Sequence, residues 1–286
     1  MQFISYFMPA YNCAATVEES ILSIINGNFD PNGDELIVVN DCSTDNTLEV
    51  LNKIRSAHPF IKIITHKRNK GGAAARNTAI ENASNELVFC LDSDNVLDKN
   101  SVQKLKEKLL AEKADVACFN EVRYFKGNTS ELSHSWFYPL QVIDVAYCLS
   151  HTQIPPASGN YLFTKTSWLK AGGYPEFSGA LDTWGFGVRQ LFTGSKMVIC
   201  KDTFYFHRVG YESYWVRDSK ARKLSLTCLQ ILIPFFDRIA DESIDHMMSK
   251  KYRYNWFDHI EKNPILVVDK KEPDNSLLGK IKNKLR

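Results

Sequence analysis

The chain has 286 residues, a formal net charge of +2, 44% hydrophobic residues and 24% charged residues. That length fits one or two globular domains, and the weak charge balance gives no footprint for nucleic acid. The seven cysteines show no CxxC spacing, so free thiols in a reducing cytoplasm fit better than a disulfide framework or a zinc site.

Read from the start, Phe3–Met8 is a strand that Pro9 is expected to stop. The N-terminal residues lack the charged region and cleavage site of a signal peptide. Thr16-Val17-Glu18-Glu19 reads as a capping box for a helix carrying Val17, Ile21, Ile24 and Ile25. Glu35–Asn40 (ELIVVN) is a near-continuous apolar run, as in a parallel strand buried on both faces. Ser43 is expected to cap a helix with Leu48, Leu51 and Ile54 on one side. Ile61–His66 alternates like a strand, Gly72–Ala83 is an alanine-rich helix, Glu86–Leu91 is a strand and Ser101–Glu112 a helix. This βαβα rhythm predicts a doubly wound α/β sheet, in which ligands sit outside the carboxyl ends of the strands.

The second half is less regular. Gly159–Thr164, Lys196–Cys200 and Thr203–His207 read as strands, and Leu181–Phe192 as a helix stopped at Gly194. From Ser219 the pattern is helical, with a break at Pro234. The longest strongly apolar stretch, Leu229 to Phe236, is too short to span a bilayer.

The residues just beyond each strand carry the chemistry. Strand one ends in Pro9-Ala10-Tyr11-Asn12 and strand two in Asn40-Asp41. Strand three runs into a basic, glycine-rich loop, His66 to Gly72, with Arg76 about a turn into the next helix. Strand four ends in Asp92-Ser93-Asp94. One sheet edge would therefore offer an aromatic ring, an isolated carboxylate, a basic loop and a carboxylate pair. That inventory suits a nucleoside diphosphate: Tyr11 against the base, Asp41 accepting from base or ribose, and Lys70 and Arg76 near phosphates. Pro9, Ala10, Asn12, Asn69, Gly72 and Ser93 line the same edge. Asp92 and Asp94 suit a hard cation, Mn²⁺ or Mg²⁺, which often takes one or two carboxylates together with substrate phosphates.

The stretches FMPAYNCAATVEESI, VVNDCSTDNT, NKGGAAARN and FCLDSDNVL resemble, in order and spacing, the successive motifs of family-2 glycosyltransferases with the GT-A fold. The likeness covers roughly residues 3–97, and GNYLFTKTSWLKAGGYPEF with LDTWGFGVRQLFTG extends it to about residue 195. The resemblance implies inverting transfer of a sugar from a nucleoside diphosphate, usually UDP, to an acceptor hydroxyl. It implies a base contact for Asp41, the metal–diphosphate motif for Asp92 and Asp94, and the catalytic base for Asp182. The family's acidic motif is commonly a Glu-Asp pair; here Asp182 stands alone between Leu181 and Thr183, seven residues before Arg189. His207 matches a histidine that is sometimes a metal ligand in the family.

Plainer readings stand beside these. Asp92 and Asp94 also suit a solvated turn, Asp41 a helix entry, Arg76 a helix surface, Asp182 an N-cap and His207 a satisfied core position. Trp184, Phe186, Tyr211, Tyr214 and Trp215 fit either a core or a sugar-stacking surface. The rival functions are a non-catalytic nucleotide-sugar binder and a sugar-phosphate nucleotidyltransferase, whose N-terminal glycine-rich basic loop residues 1–20 lack. The expected organisation is a catalytic domain over 1–215 and a helical extension over 216–286. On a helix, Leu277, Leu278, Ile281 and Leu285 share a face apart from most of Lys280, Lys282, Lys284 and Arg286. That suits either peripheral attachment to the inner face of a membrane, near a glycan or lipid-linked acceptor, or packing on the core. Surface polysaccharide or glycan assembly in the cytoplasm is the expected setting.

Overall fold

The computed structural model describes residues 2–138, 142–145, 159–210 and 224–237. Strands β1 (Ile4–Ala10), β2 (Glu35–Asn40), β3 (Ile61–Thr65) and β4 (Leu87–Cys90) alternate with helices α1 (Val17–Ile25), α2 (Thr47–Ala57) and α3 (Gly72–Glu81). Then come β5 (Val96–Leu97), α4 (Ser101–Ala111) and a hairpin of β6 (Val116–Phe125) and β7 (Leu132–Phe137). β8 (Val142–Ile143), β9 (Leu162–Thr164), α5 (Lys165–Lys170), α6 (Asp182–Phe192), β10 (Met197–Arg208) and α7 (Leu224–Leu232) complete the described elements.

All ten strands join one sheet, in the order β3-β2-β1-β4-β9-β6-β10-β5, with β7 on β6 and β8 on β10. The first four are parallel. β9 runs antiparallel to both β4 and β6, and β6 pairs parallel with β10. β6 and β10 therefore point the same way as β4, and their carboxyl ends share its edge.

The apolar runs follow from burial on both faces. Phe7, Ile37 and Val39 enter one core with Ala73, Ala75 and Ala79 of α3, whose small side chains let that helix lie close to the sheet. Tyr6, Met8, Leu36 and Val38 enter the other with Ile21 and Ile24 of α1 and Leu51 of α2. Beyond the expected boundary at residue 215, Cys228, Ile231 and Leu232 of α7 are buried in the first core with α6. The boundary itself, and the basic segment 277–286, lie outside the described residues.

Several local expectations are corrected. Pro9 does not end β1; it pairs with Val39 inside it. Phe7 turns its carbonyl to Leu91 on the β4 side, so Pro9, two residues on, faces a neighbour that has left the ladder after Cys90, and its missing N–H costs no pairing. Thr16 occupies the N-cap of α1 without a capping hydrogen bond; its Oγ1 donates instead to the Ser93 carbonyl at 2.9 Å. Ser43 does not cap α2, whose N-cap is Asn46; it accepts from the Asn12 amide at 3.1 Å. The two strands expected over 196–207 are one strand, β10, with a register shift between Cys200 and Phe204 and Asp202 at φ 55°.

Candidate active site

Asp41 follows β2 directly, and its amide donates to Ala10 at 2.8 Å. Asp41 is only 2% exposed. Oδ1 accepts from the Lys70 amide at 2.9 Å and lies 2.7 Å from His66 Nδ1; Oδ2 accepts from the Gly71 amide at 2.7 Å. Gly71 sits at φ +91°, a conformation that a side chain would strain and that turns its amide toward Oδ2. His66, whose place in the basic loop suggested no role of its own, has its Nε2 3.0 Å from Thr78 Oγ1. Asn69 Nδ2 donates to the Asp41 carbonyl at 3.2 Å, while the Lys70 side chain is exposed. A carboxylate has about four lone-pair sites. With His66 Nδ1 as donor, the Asp41 contacts occupy three of them, two on Oδ1 and one on Oδ2.

Beside this loop, Ala10 is buried and Tyr11 is 39% exposed, an open ring at the sheet edge. Asn12, at φ 49°, accepts from the Thr44 amide at 2.8 Å and ties the ends of β1 and β2 together.

The turn after β4 is held by its neighbours. The Asp92 amide donates to Asn160 Oδ1 at 2.7 Å, and Thr16 holds Ser93 from the α1 side. Asn160 lies in the GNYLF stretch but ahead of β9 and not inside the expected strand from Gly159; its role arises where β9 meets β4. Burial, then the Asp92 charge, pushes the Asp94 carboxyl up to about 6.

Arg76 joins this turn to α6. Its Nη2 donates to Asp92 Oδ1 at 2.6 Å and its Nη1 to Asp182 Oδ2 at 2.5 Å. Arg76 is 7% exposed, which overturns the helix-surface reading. Asp182 opens α6, and its Oδ1 accepts from the Thr183 amide at 2.7 Å. Burial raises the Asp182 carboxyl above its ordinary range, with Arg76 pulling the other way. Glu176, the other nearby acid, is exposed and bonds to Asn77 at 3.2 Å. Gly72 makes room for the pair: a Cβ there would lie 2.8 Å from Arg76 Nη1 and 3.0 Å from Asp182 Oδ2. Gly72→Ala is expected to push the flexible guanidinium aside at a cost of about 1 kcal/mol and to lower turnover about tenfold or more. Thermal denaturation and steady-state kinetics check this; unchanged turnover would mean that the ion pair tolerates displacement.

The sequence model described as "Glycosyl transferase family 2" matches residues 5–168, more than half of the chain. The chain belongs to glycosyl transferase family 2. A chondroitin synthase of Pasteurella multocida is 32% identical over 176 residues, which is 60% of this chain and 17% of that protein. The chain thus spans about a sixth of the length of that relative. Among solved structures, Staphylococcus aureus TarS 1-349 in complex with UDP-GlcNAc shares the fold with a TM-score of 0.62 and 18% identity, over 92% of this chain and 80% of that one. The mannosyltransferase PcManGT from Pyrobaculum calidifontis, in complex with GDP-Man and Mn²⁺, has a TM-score of 0.62 and 17% identity, over 99% of this chain and 78% of that one.

The fit of a cation to this family-2 site can be tested on its donors. Among the described residues, no three His, Cys, Asp or Glu side chains converge into a protein-only cation cage. Asp94 nevertheless carries a carboxyl that burial and the Asp92 charge both raise, a penalty that a bound cation would offset. Its neighbour Asp92 spends Oδ1 on Arg76. His207 lies on β10, its ring 5.1 Å from that of Tyr124, and burial lowers its pKa, against the pull of the Asp92 charge. The Asp92 and Asp94 carboxylates are the hard donors that the turn offers, and that pair fits Mn²⁺ or Mg²⁺ provided that a substrate diphosphate supplies further oxygens; His207 does not converge with both of them into a three-ligand group. Of the aromatic residues considered for sugar stacking, Trp184 and Phe186 are core; Tyr211, Tyr214 and Trp215 lie outside the described residues.

Proposed function

We propose that this family-2 chain is an inverting glycosyltransferase that moves a sugar from a UDP-sugar to an acceptor hydroxyl, with a divalent cation, in the assembly of a surface polysaccharide or other glycan. One observation carries the reading: a single sheet edge gathers Asp41, the Asp92–Asp94 turn and Asp182, and Arg76 bonds to both Asp92 and Asp182. The likeness to structures bound to UDP-GlcNAc and to GDP-Man with Mn²⁺ supports a nucleotide-sugar donor, and the likeness to a chondroitin synthase supports a glycan product.

In this reading Tyr11 stacks on the base and the remaining lone pair of Asp41 accepts from it. Asn12, Asn69 and the Gly71–Gly72 turn shape the floor beneath, and Lys70 reaches the phosphates. Asp94 with Asp92, joined in this reading by His207, would hold the cation, which when bound neutralises charge gathering on the departing diphosphate. Asp182 takes the proton of the acceptor hydroxyl as general base. Its raised pKa suits it to that task, and Arg76 fixes its direction. Attack opposite the leaving diphosphate inverts the anomeric carbon.

The test is UDP release from a panel of nucleotide sugars, with Mn²⁺ and with chelator. Release that no UDP-sugar and acceptor mixture raises above background would sink the proposal and favour a nucleotide-sugar binder. Asp94→Asn is expected to abolish metal-dependent release, because it removes both charge and a hard ligand. The raised Asp94 pKa adds a pH signature: cation binding should release about one proton at pH 5 and almost none at pH 7.5. Calorimetry in buffers of different ionisation enthalpy reads that difference, and equal release at both pH values would remove Asp94 from the metal site.

Among the described residues, no helix is long and apolar enough to cross a membrane. The setting proposed is the cytoplasmic side of a membrane bearing a lipid-linked acceptor, with the basic segment 277–286 resting on anionic lipid. Co-sedimentation with anionic liposomes should be lost on truncation after Asp274. Equal sedimentation of both forms would return that segment to core packing.

A further inference from the structure

We propose that Arg208 is a positioning residue that sets Asp94 for its cation; this rests on the metal-dependent reading above. Arg208 ends β10 and is 8% exposed. Its Nε donates to the Asp94 carbonyl at 3.0 Å, its Nη1 to the Gly127 carbonyl at 3.4 Å, and its Nη2 to Glu19 Oε2 on α1. Its own amide donates to Asn95 Oδ1 at 3.0 Å. The guanidinium lies 4.3 Å over the Phe125 ring, so its plane is fixed as well as its ends. One side chain thereby joins α1, β10, the turn after β4 and the turn after β6.

The choice of acceptor gives the arrangement its meaning. Asp92 and Asp94 repel each other across one residue, and the molecule supplies two arginines to the turn. Arg76 takes the carboxylate of Asp92. Arg208 takes the backbone carbonyl of Asp94 and sends its remaining donors elsewhere. Asp94 is thus anchored through its main chain, and its carboxylate is left for a cation. The same turn is pinned at each preceding residue from a different element: Asp92 by Asn160 and Ser93 by Thr16. Arg208 completes that series at the residue whose placement matters most. A lysine would bring the same charge without the planar fork that reaches Asp94, Gly127 and Glu19 together.

Arg208→Lys therefore separates positioning from charge. The measurement is UDP affinity by calorimetry across a Mn²⁺ titration, and again in chelator. For the wild type, affinity should rise with Mn²⁺ to a defined midpoint. The Arg208→Lys midpoint is expected to move about tenfold or more toward higher Mn²⁺, on the scale usual for groups that orient metal ligands, with UDP affinity in chelator unchanged. Glu19→Gln loosens the guanidinium from an exposed partner and should move the midpoint the same way by a smaller factor. It carries the test should Arg208→Lys not fold. Wild-type midpoints in the folded variants would overturn the inference. So would an equal loss of UDP affinity with and without Mn²⁺, which would make Arg208 a staple of the fold alone. A wild type whose UDP affinity ignores Mn²⁺ would instead remove the metal reading itself, and the inference with it.

Discussion

Replacing Arg76 with methionine is expected to lower stability by about 3 kcal/mol at pH 7.5 and to remove measurable transfer. The methionine fills much of the same space but strands Asp182, and its buried charge then has no counter-ion. The loss should shrink as pH falls. Burial already holds the Asp182 carboxyl above its ordinary range, and without the guanidinium only the Thr183 amide still opposes that rise. A carboxyl with a raised folded-state pKa contributes stability that is complete below its unfolded value and is lost as pH rises through the folded one. Chemical denaturation at pH 5 and 7.5 should therefore show the smaller deficit at pH 5. Adding Asp182→Asn to Arg76→Met removes the stranded charge and should recover part of the stability but none of the activity. A deficit that is the same at both pH values, and that the second substitution does not relieve, would mean that the ion pair contributes no more than an exposed one.

Asp182→Asn alone is expected to lower kcat about 100-fold or more, on the scale for loss of a general base, while UDP affinity stays near that of wild type. Asparagine keeps an oxygen for the Thr183 amide and fills the same space at the head of α6. Arg76 retains Asp92 at 2.6 Å, so the donor side of the site should hold its geometry. Single-turnover kinetics beside UDP calorimetry separate the two effects. If kcat is unchanged, or if Glu176→Gln is the crippling change instead, the base is misassigned. Glu176 makes a poor base in this fold because it is exposed and turned toward Asn77.

The residues that line the candidate site were legible in the sequence because a parallel sheet exports them to one edge. β2 needs no partner information to be recognised: an unbroken run of four apolar residues, Leu36 to Val39, is buried on both faces. Once β1 to β4 are strands, Asp41, Asp92 and Asp94 must share an edge, whatever the rest of the chain does. How those residues are wired was not legible, because hydrogen bonding depends on distances between segments remote in sequence. Thr16 looked like a helix cap and became a support for Ser93, since the turn after β4 arrives beside it from 77 residues away. Arg76 looked like a helix-surface or phosphate-facing residue and became the link from Asp92 to Asp182, 106 residues away. Asn160 sat inside an expected strand and Arg208 just past another, and nothing local marked the contacts that either makes. Periodicity and turn chemistry determined which side chains reach the edge; only the folding of the second half across β4 decided which charges meet there, because opposite charges pair where burial denies them water.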